Sequence, residues 1–123
     1  MGKEMNGKRL LVVDDETQAT TLLKLILESE IEGCSVLVAH DGLEAVDTAD
    51  RCTPHAVVMD LEMPKLDGER AARLIAKHSG DAHPLLIALS GNVHRLAAMK
   101  IGDPFQHLLS KPVDMDELLT ILR

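Results

Sequence analysis

The sequence predicts an α/β protein in which a doubly wound, five-stranded parallel sheet carries helices on both faces. Five short apolar runs alternate with segments whose apolar residues recur every three or four positions. In each run apolar residues occupy successive positions, as expected for strands that are buried on both faces. Because each helical crossover is right-handed and returns the chain in the same direction, the strands are expected to form one parallel sheet.

The first half of the chain predicts two strands and two helices. Residues 9–13 form an apolar run that is too short for a helix and therefore predict the first strand. Helical spacing of Ala and Leu follows over 17–28. Residues 35–39 repeat the strand pattern, and the second helix begins near Leu43 and stops before Pro54.

The middle of the chain continues this alternation. Residues 56–59 predict the third strand, and the alanine-rich segment 69–78 predicts the third helix. The fourth strand is expected at 85–89, followed by a weaker helix from about 93 to 100. A short fifth strand is expected at 107–110.

The last helix has a clear start in the sequence. Asp114 is a good N-cap, because a short polar side chain can accept a hydrogen bond from a free backbone N–H of the first turn. Behind it, apolar residues at positions i, i+3, i+4 and i+7 predict one buried face. These residues are Met115, Leu118, Leu119 and Leu122.

Composition narrows the functional classes. A length of 123 residues fits a single domain, residues 1–123, with a polar tail at 1–7. No apolar run approaches the roughly 20 residues that span a bilayer, so we expect a cytoplasmic protein without membrane insertion. The formal net charge of −7 argues against direct nucleic-acid binding, which depends on basic side chains. The two cysteines show no metal-ligand spacing.

Polar residues follow four of the predicted strands. Asp14 and Asp15 end the first, Asp60 the third, Ser90 the fourth and Lys111 the fifth. Because ligands of such sheets bind beyond the carboxyl ends of the strands, these side chains are expected to converge on one rim. Carboxylates about 5 Å apart repel each other by about 3 kcal/mol per pair at an effective dielectric constant near 20. Either one carboxyl is protonated or a hard divalent cation binds, and Mg²⁺ fits an exposed all-oxygen site.

The polar strand ends belong to four short motifs, which are Asp14-Asp15, Asp60-Leu61-Glu62-Met63-Pro64-Lys65-Leu66-Asp67-Gly68, Ser90-Gly91 and Lys111-Pro112. With these motifs in this order, the sequence resembles the receiver domains of two-component response regulators over about Lys8 to Arg123. The resemblance implies a flavodoxin-like fold with strand order 2-1-3-4-5. Residues 111–119 are similar to the same segment of receivers attached to hybrid sensor kinases.

The resemblance implies a phosphoacceptor and a metal site. Asp60 is expected to attack a phosphohistidine phosphorus and form an aspartyl phosphate. Asp15, supported by Asp14, is expected to hold Mg²⁺ together with the Asp60 carboxylate and the main-chain carbonyl of Glu62. Mn²⁺ is expected to substitute for Mg²⁺.

The resemblance also assigns the phosphoryl-binding groups. Lys111 is expected to pair first with Asp60 and then with a phosphoryl oxygen, while the Ser90 hydroxyl and the Gly91 amide bind another. Ser90 and Leu108 occupy the switch positions. Leu108 stands where the family usually has an aromatic residue.

Two further departures from the family pattern affect the segment before the fifth strand. Pro104 stands where glycine is usual, and the segment from Ser90 to Lys111 is shorter than usual. We therefore expect an altered fourth helix or loop. The Lys111-Pro112 bond is expected to be cis.

The implied partners are a sensor histidine kinase or a histidine phosphotransfer protein, with a phosphorylation-dependent homodimer as a further state. The protein would be a switch that catalyses only its own phosphorylation and slow autodephosphorylation. Two alternatives stay open: an aspartyl-phosphate phosphohydrolase and a phosphorylation-independent pseudo-receiver. Such phosphohydrolases typically carry an Asp two residues after the nucleophile, and this chain has Glu62 at that position.

Overall fold

The computed structural model describes residues 7–123, so the predicted polar tail lies outside the described residues except for Gly7. Within this range the chain forms a five-stranded parallel sheet with the order β2-β1-β3-β4-β5, which confirms the predicted fold and strand order. The strands are β1 (Arg9–Val13), β2 (Ser35–Ala39), β3 (Ala56–Asp60), β4 (Leu85–Ser90) and β5 (His107–Ser110). The helices are α1 (Thr17–Glu30), α2 (Gly42–Cys52), α3 (Gly68–Ser79), α4 (Val93–Ala97) and α5 (Met115–Leu122), with a 3-10 turn at Gly80–Ala82.

Both faces of the sheet are covered, and alternate residues of each strand enter different cores. In β1, Leu10 and Val12 face the core with α1 and α5, whereas Leu11 and Val13 face the core with α2 and α3. All five residues of β3 are buried. The central strand is thus fixed on both sides, and this fixes the position of its last residue, Asp60.

The helices begin where the sequence offers polar caps. The side chains of Asp41, Asp67, Asn92 and Asp114 each accept a hydrogen bond from the backbone N–H three residues later. The predicted cap at Asp114 is therefore confirmed.

The predicted extent of α4 is wrong at its C-terminal end, because the helix stops at Ala97 instead of about Lys100. The chain after it forms a turn with an isolated bridge between Lys100 and Asp103, and Gly102 within this turn has a φ of 91°, which helical backbone does not adopt. α4 thus has only five residues; that this helix or its loop differs from the family pattern stays a prediction. The bond before Pro104 is cis.

Two glycines allow the loop after β3 to pack closely. A Cβ atom on Gly68 would lie 2.2 Å from the carbonyl oxygen of Asp60, and one on Gly42 would lie 2.1 Å from the carbonyl oxygen of Leu66. Any larger residue would push the loop away from β3 or from α2. These contacts hold the loop beside the last residue of β3.

Among residues 7–123, no helix combines the length and the apolar character that crossing a bilayer requires.

Candidate functional site

The carboxyl ends of four strands lie side by side, as predicted. The register pairs Val13 with Met59, and it pairs Asp60 with Leu89 one position beyond. Ser90 in turn pairs with Ser110. Residues that directly follow or end these strands therefore share one edge of the sheet.

Three carboxylates meet at this edge. Asp14, Asp15 and Asp60 each offer one oxygen, and these oxygens lie within 4.8 Å of one another. Asp60 is only 2% exposed and Asp14 is nearly buried, whereas Asp15 is exposed to solvent. The Asp14 carboxylate also accepts a hydrogen bond of 2.9 Å from the N–H of Glu16, which fixes it at the start of α1.

Lys111 provides positive charge to the two buried carboxylates. Its Nζ lies 3.0 Å from Oδ1 of Asp60 and 3.4 Å from Oδ2 of Asp14. The Lys111 N–H donates to the carbonyl of Ser90, which aligns the end of β5 with β4. The Lys111-Pro112 bond is cis, as expected.

The pKa values of Asp60 and Lys111 are set by two opposing effects, burial and the attraction between their charges. Burial raises the pKa of Asp60 above its ordinary value; the hydrogen bond from Lys111 opposes this rise, and the nearby charge of Asp14 adds to it. Burial lowers the pKa of Lys111, but its hydrogen bonds and charge interactions with Asp60 and Asp14 outweigh this effect, so its pKa is raised. Lys111 is therefore charged at neutral pH.

Ser90 is fully buried and makes two hydrogen bonds through its side chain. The hydroxyl donates to the Glu62 carboxylate, whose two oxygens lie 2.8 and 2.9 Å away. The hydroxyl oxygen of Ser90 also accepts a 2.9 Å hydrogen bond from the N–H of Asn92, the residue that caps α4. Ser90 thus links the loop after β3 to the start of α4.

Sequence reasoning missed Arg95. This half-buried residue of α4 places its guanidinium 3.2 Å from Glu62, 3.4 Å from Asp67 and 3.6 Å from Glu69. The sequence shows three acids close together and an arginine shortly after Ser90. Only the packing of α4 against the loop after β3 brings them together.

The remaining predicted residues lie near this edge. Gly91 follows β4 directly and is exposed. Leu108 is half-buried in β5, where it pairs in register with Ala88 and packs against the core below α2 and α3. Glu62 lies two positions beyond Asp60, and its N–H donates a long hydrogen bond of 3.4 Å to the Asp60 carboxylate.

The acidic cluster fits a hard divalent cation. It offers carboxylate oxygens close together, one of them nearly inaccessible to water, and its negative charge exceeds the single positive charge of Lys111. Mg²⁺ prefers oxygen ligands and binds through one or a few carboxylates while it keeps several waters. The exposed position of Asp15 leaves room for such waters.

Comparison with known proteins points to one family. The sequence profile of the response regulator receiver domain matches residues 10–123. The response regulator MprA of Mycobacterium avium (strain 104) is 37% identical over 117 residues, which cover 94% of this chain and 49% of that protein. The chain thus spans about half the length of the curated relatives it matches.

Solved structures show the same similarity. The receiver domain of the sensor histidine kinase PA1611 from Pseudomonas aeruginosa PAO1, which has a magnesium ion coordinated in its active-site cleft, aligns with a TM-score of 0.81 and 31% identity over 94% of each chain. The response regulator domain of Thermotoga maritima CheB aligns with a TM-score of 0.80 and 30% identity, covering 96% of this chain and 95% of that one.

Proposed function

We propose, since this chain belongs to the response regulator receiver domain family, that its function is to accept a phosphoryl group on Asp60. The observation that carries the proposal is the buried Asp60 carboxylate, which has carboxylate oxygens of Asp14 and Asp15 within 4.8 Å and the ammonium of Lys111 at 3.0 Å. Such an arrangement suits phosphoryl transfer, which depends on positioning and charge neutralisation more than on covalent help from the protein.

In the proposed reaction, a carboxylate oxygen of Asp60 attacks the phosphorus of a phosphohistidine. The new bond joins this oxygen to phosphorus, the bond between phosphorus and the histidine nitrogen breaks, and its electron pair leaves with the nitrogen. Lys111, whose ammonium lies beside the Asp60 carboxylate, would then pair with an oxygen of the transferred phosphoryl group. The Ser90 hydroxyl and the Gly91 amide would bind another oxygen.

Asp14, Asp15, the Asp60 carboxylate and the Glu62 main-chain carbonyl would hold Mg²⁺, with Mn²⁺ as a substitute. The ion supplies charge neutralisation to the phosphoryl oxygens when bound. The magnesium in the PA1611 receiver and the oxygen donors of this chain support this assignment.

The proposed phosphodonor is a sensor histidine kinase or a histidine phosphotransfer protein. The aspartyl phosphate would hydrolyse slowly, and phosphate binding would reposition Ser90 and the neighbouring β5, including Leu108. A phosphorylation-dependent homodimer is a further proposed state.

A test uses a small phosphodonor such as acetyl phosphate, with and without Mg²⁺, followed by intact mass spectrometry. We expect a gain of one phosphate that requires Mg²⁺ and is lost in Asp60→Asn. A gain that survives this substitution would contradict the proposal. Measuring phosphate release from simple esters separates the alternatives, because a phosphohydrolase turns over many substrate molecules and a pseudo-receiver incorporates no phosphate.

A further inference from the structure

The hydrogen of the Ser90 hydroxyl is already in use in this structure. A serine hydroxyl has one hydrogen to donate. Ser90 directs it to Glu62, and its oxygen accepts from the N–H of Asn92. Since Ser90 is fully buried, water does not compete for this hydrogen.

The proposed function requires the same hydrogen at another acceptor. If Asp60 carries a phosphoryl group, the Ser90 hydroxyl must donate to a phosphoryl oxygen. It cannot do so while it donates to Glu62, because two strong acceptors share one donor. We propose that the Glu62 side chain is an internal competitor of the phosphoryl group for the Ser90 hydroxyl, and that phosphoryl binding at Asp60 releases Glu62 from Ser90.

The inference rests on the proposed function and adds a role for the Glu62 side chain, in addition to its main-chain carbonyl. Glu62 is close enough to act in this way, since its own N–H reaches the Asp60 carboxylate. The Glu62 side chain is 43% exposed, so its carboxylate can move into solvent when it leaves Ser90.

Arg95 positions Glu62 for this competition. The Glu62 oxygen that lies 2.8 Å from the Ser90 hydroxyl also lies 3.2 Å from the Arg95 guanidinium. Arg95 is itself anchored by Asp67 and Glu69 at the start of α3. The guanidinium therefore stabilises the position of Glu62 in which Ser90 is occupied.

Release of Glu62 from Ser90 would directly affect the contacts at the start of α4. The N–H of Asn92, the cap of α4, donates to the Ser90 oxygen, and Arg95 lies on the same helix. When the Ser90 hydroxyl turns toward a phosphoryl group, its hydrogen bond to Glu62 is lost and the hydrogen bond that it accepts from the Asn92 N–H changes. The contact between Glu62 and Ser90 thus couples the phosphoryl site to α4 without an aromatic side chain at Leu108.

The test is a double-mutant cycle on binding of beryllium trifluoride with Mg²⁺, a stable imitation of the phosphoryl group on a carboxylate. Affinity is measured by fluorine NMR or calorimetry for the wild type, Glu62→Ala, Ser90→Ala and the double variant. Because hydrogen bonds to charged groups are strong, we expect Glu62→Ala to tighten binding about tenfold when Ser90 is present. In the Ser90→Ala background the same substitution should change affinity by less than about twofold.

Equal tightening in both backgrounds would overturn the proposal, because it would mean that Glu62 acts only through its charge. No effect of Glu62→Ala in either background would overturn it as well. Failure of the proposed function gives a different result: the wild type would not bind the probe, or Asp60→Asn would bind it equally well.

The role of Arg95 has its own readout in the protein without probe. The backbone amide resonance of Asn92 reports on the Ser90 oxygen, to which it donates. We expect Arg95→Ala to shift this resonance in the same direction as Glu62→Ala and to add nothing in the Glu62→Ala background. Arg51→Ala is the matched control, because Arg51 pairs with Asp47 within α2 and shares none of the three acids that Arg95 contacts. A shift from Arg95→Ala that is independent of Glu62 would contradict the positioning role.

Discussion

The ammonium of Lys111 lies 3.0 Å from the carboxylate of Asp60, so the counter-charge of a buried acid in β3 comes from the end of β5. Strand β4 separates these two strands in the sheet, and only the parallel register brings their ends to the same edge. A second carboxylate, Asp14, shares the same ammonium. This relationship makes the site sensitive to changes in either charge.

Removing the ammonium should slow phosphorylation. In Lys111→Met, we expect the rate of phosphate incorporation from acetyl phosphate to fall about 100-fold, because one preorganised charge contributes on this scale to such reactions. The time course of intact mass measures the rate. Lys65→Met is the matched control, since the Lys65 ammonium pairs with Asp41 and its side chain is 65% exposed. Equal rates in Lys111→Met and the wild type would contradict the assigned role.

The raised pKa of Asp60 predicts a pH-dependent effect of Asp60→Asn on stability. The folded state holds the Asp60 proton more tightly than the unfolded state, so the stability from this group is present at low pH and is lost as pH rises from about 3.8 through the raised folded pKa. At pH 7 without metal, Asp60→Asn should therefore melt a few degrees higher than the wild type, given about 4 °C per kcal/mol for a domain of this size.

The difference in melting temperature should shrink as the pH falls toward 4. Thermal unfolding followed by circular dichroism in EDTA measures it. Asp47→Asn is the control, because the Asp47 side chain is 67% exposed and pairs with Arg51 on the surface of α2. If Asp60→Asn melts lower than the wild type at pH 7, the burial of Asp60 is not a cost to folding.

Divalent metal should stabilise the domain through the acidic cluster. At about ten times its dissociation constant, Mg²⁺ should raise the free energy of unfolding by about 1.4 kcal/mol. Asp15→Asn should remove most of this gain with little effect on the metal-free stability, because Asp15 is exposed. Melting curves with and without Mg²⁺ provide the test. Glu16→Gln, a neighbouring exposed acid outside the cluster, should keep the full gain.

The close approach at Gly68 should matter for both folding and site geometry. In Gly68→Ala the new methyl group would lie 2.2 Å from the Asp60 carbonyl oxygen, so the loop or β3 must shift. We expect a loss of about 2 kcal/mol in the free energy of unfolding, as is typical of overpacking. Chemical denaturation measures this loss. Gly91→Ala, where a Cβ meets no atom within 4 Å, should change stability little, and equal losses would refute the packing argument.

Much of the fold follows from local patterns in the sequence. The apolar run at 9–13 and the helical spacing behind Asp114 lead directly to β1 and α5, because buried strands and amphipathic helices have distinct periodicities. The end of α4 did not follow, since the segment after Ala97 forms a turn whose geometry depends on Gly102 and on its packing. Short helices with no buried residue carry a weak periodic signal.

The sequence alone determined which residues end the strands, and the rule for parallel sheets then predicts that Asp14, Asp60, Ser90 and Lys111 share one edge. The tertiary structure decided which of these groups touch. Directional contacts such as the Ser90 hydrogen bond to Glu62 and the reach of Arg95 depend on the packing of α4 against the loop after β3, and no local pattern encodes that packing. The balance of burial and charge at Asp60 likewise depends on how completely its neighbours exclude water.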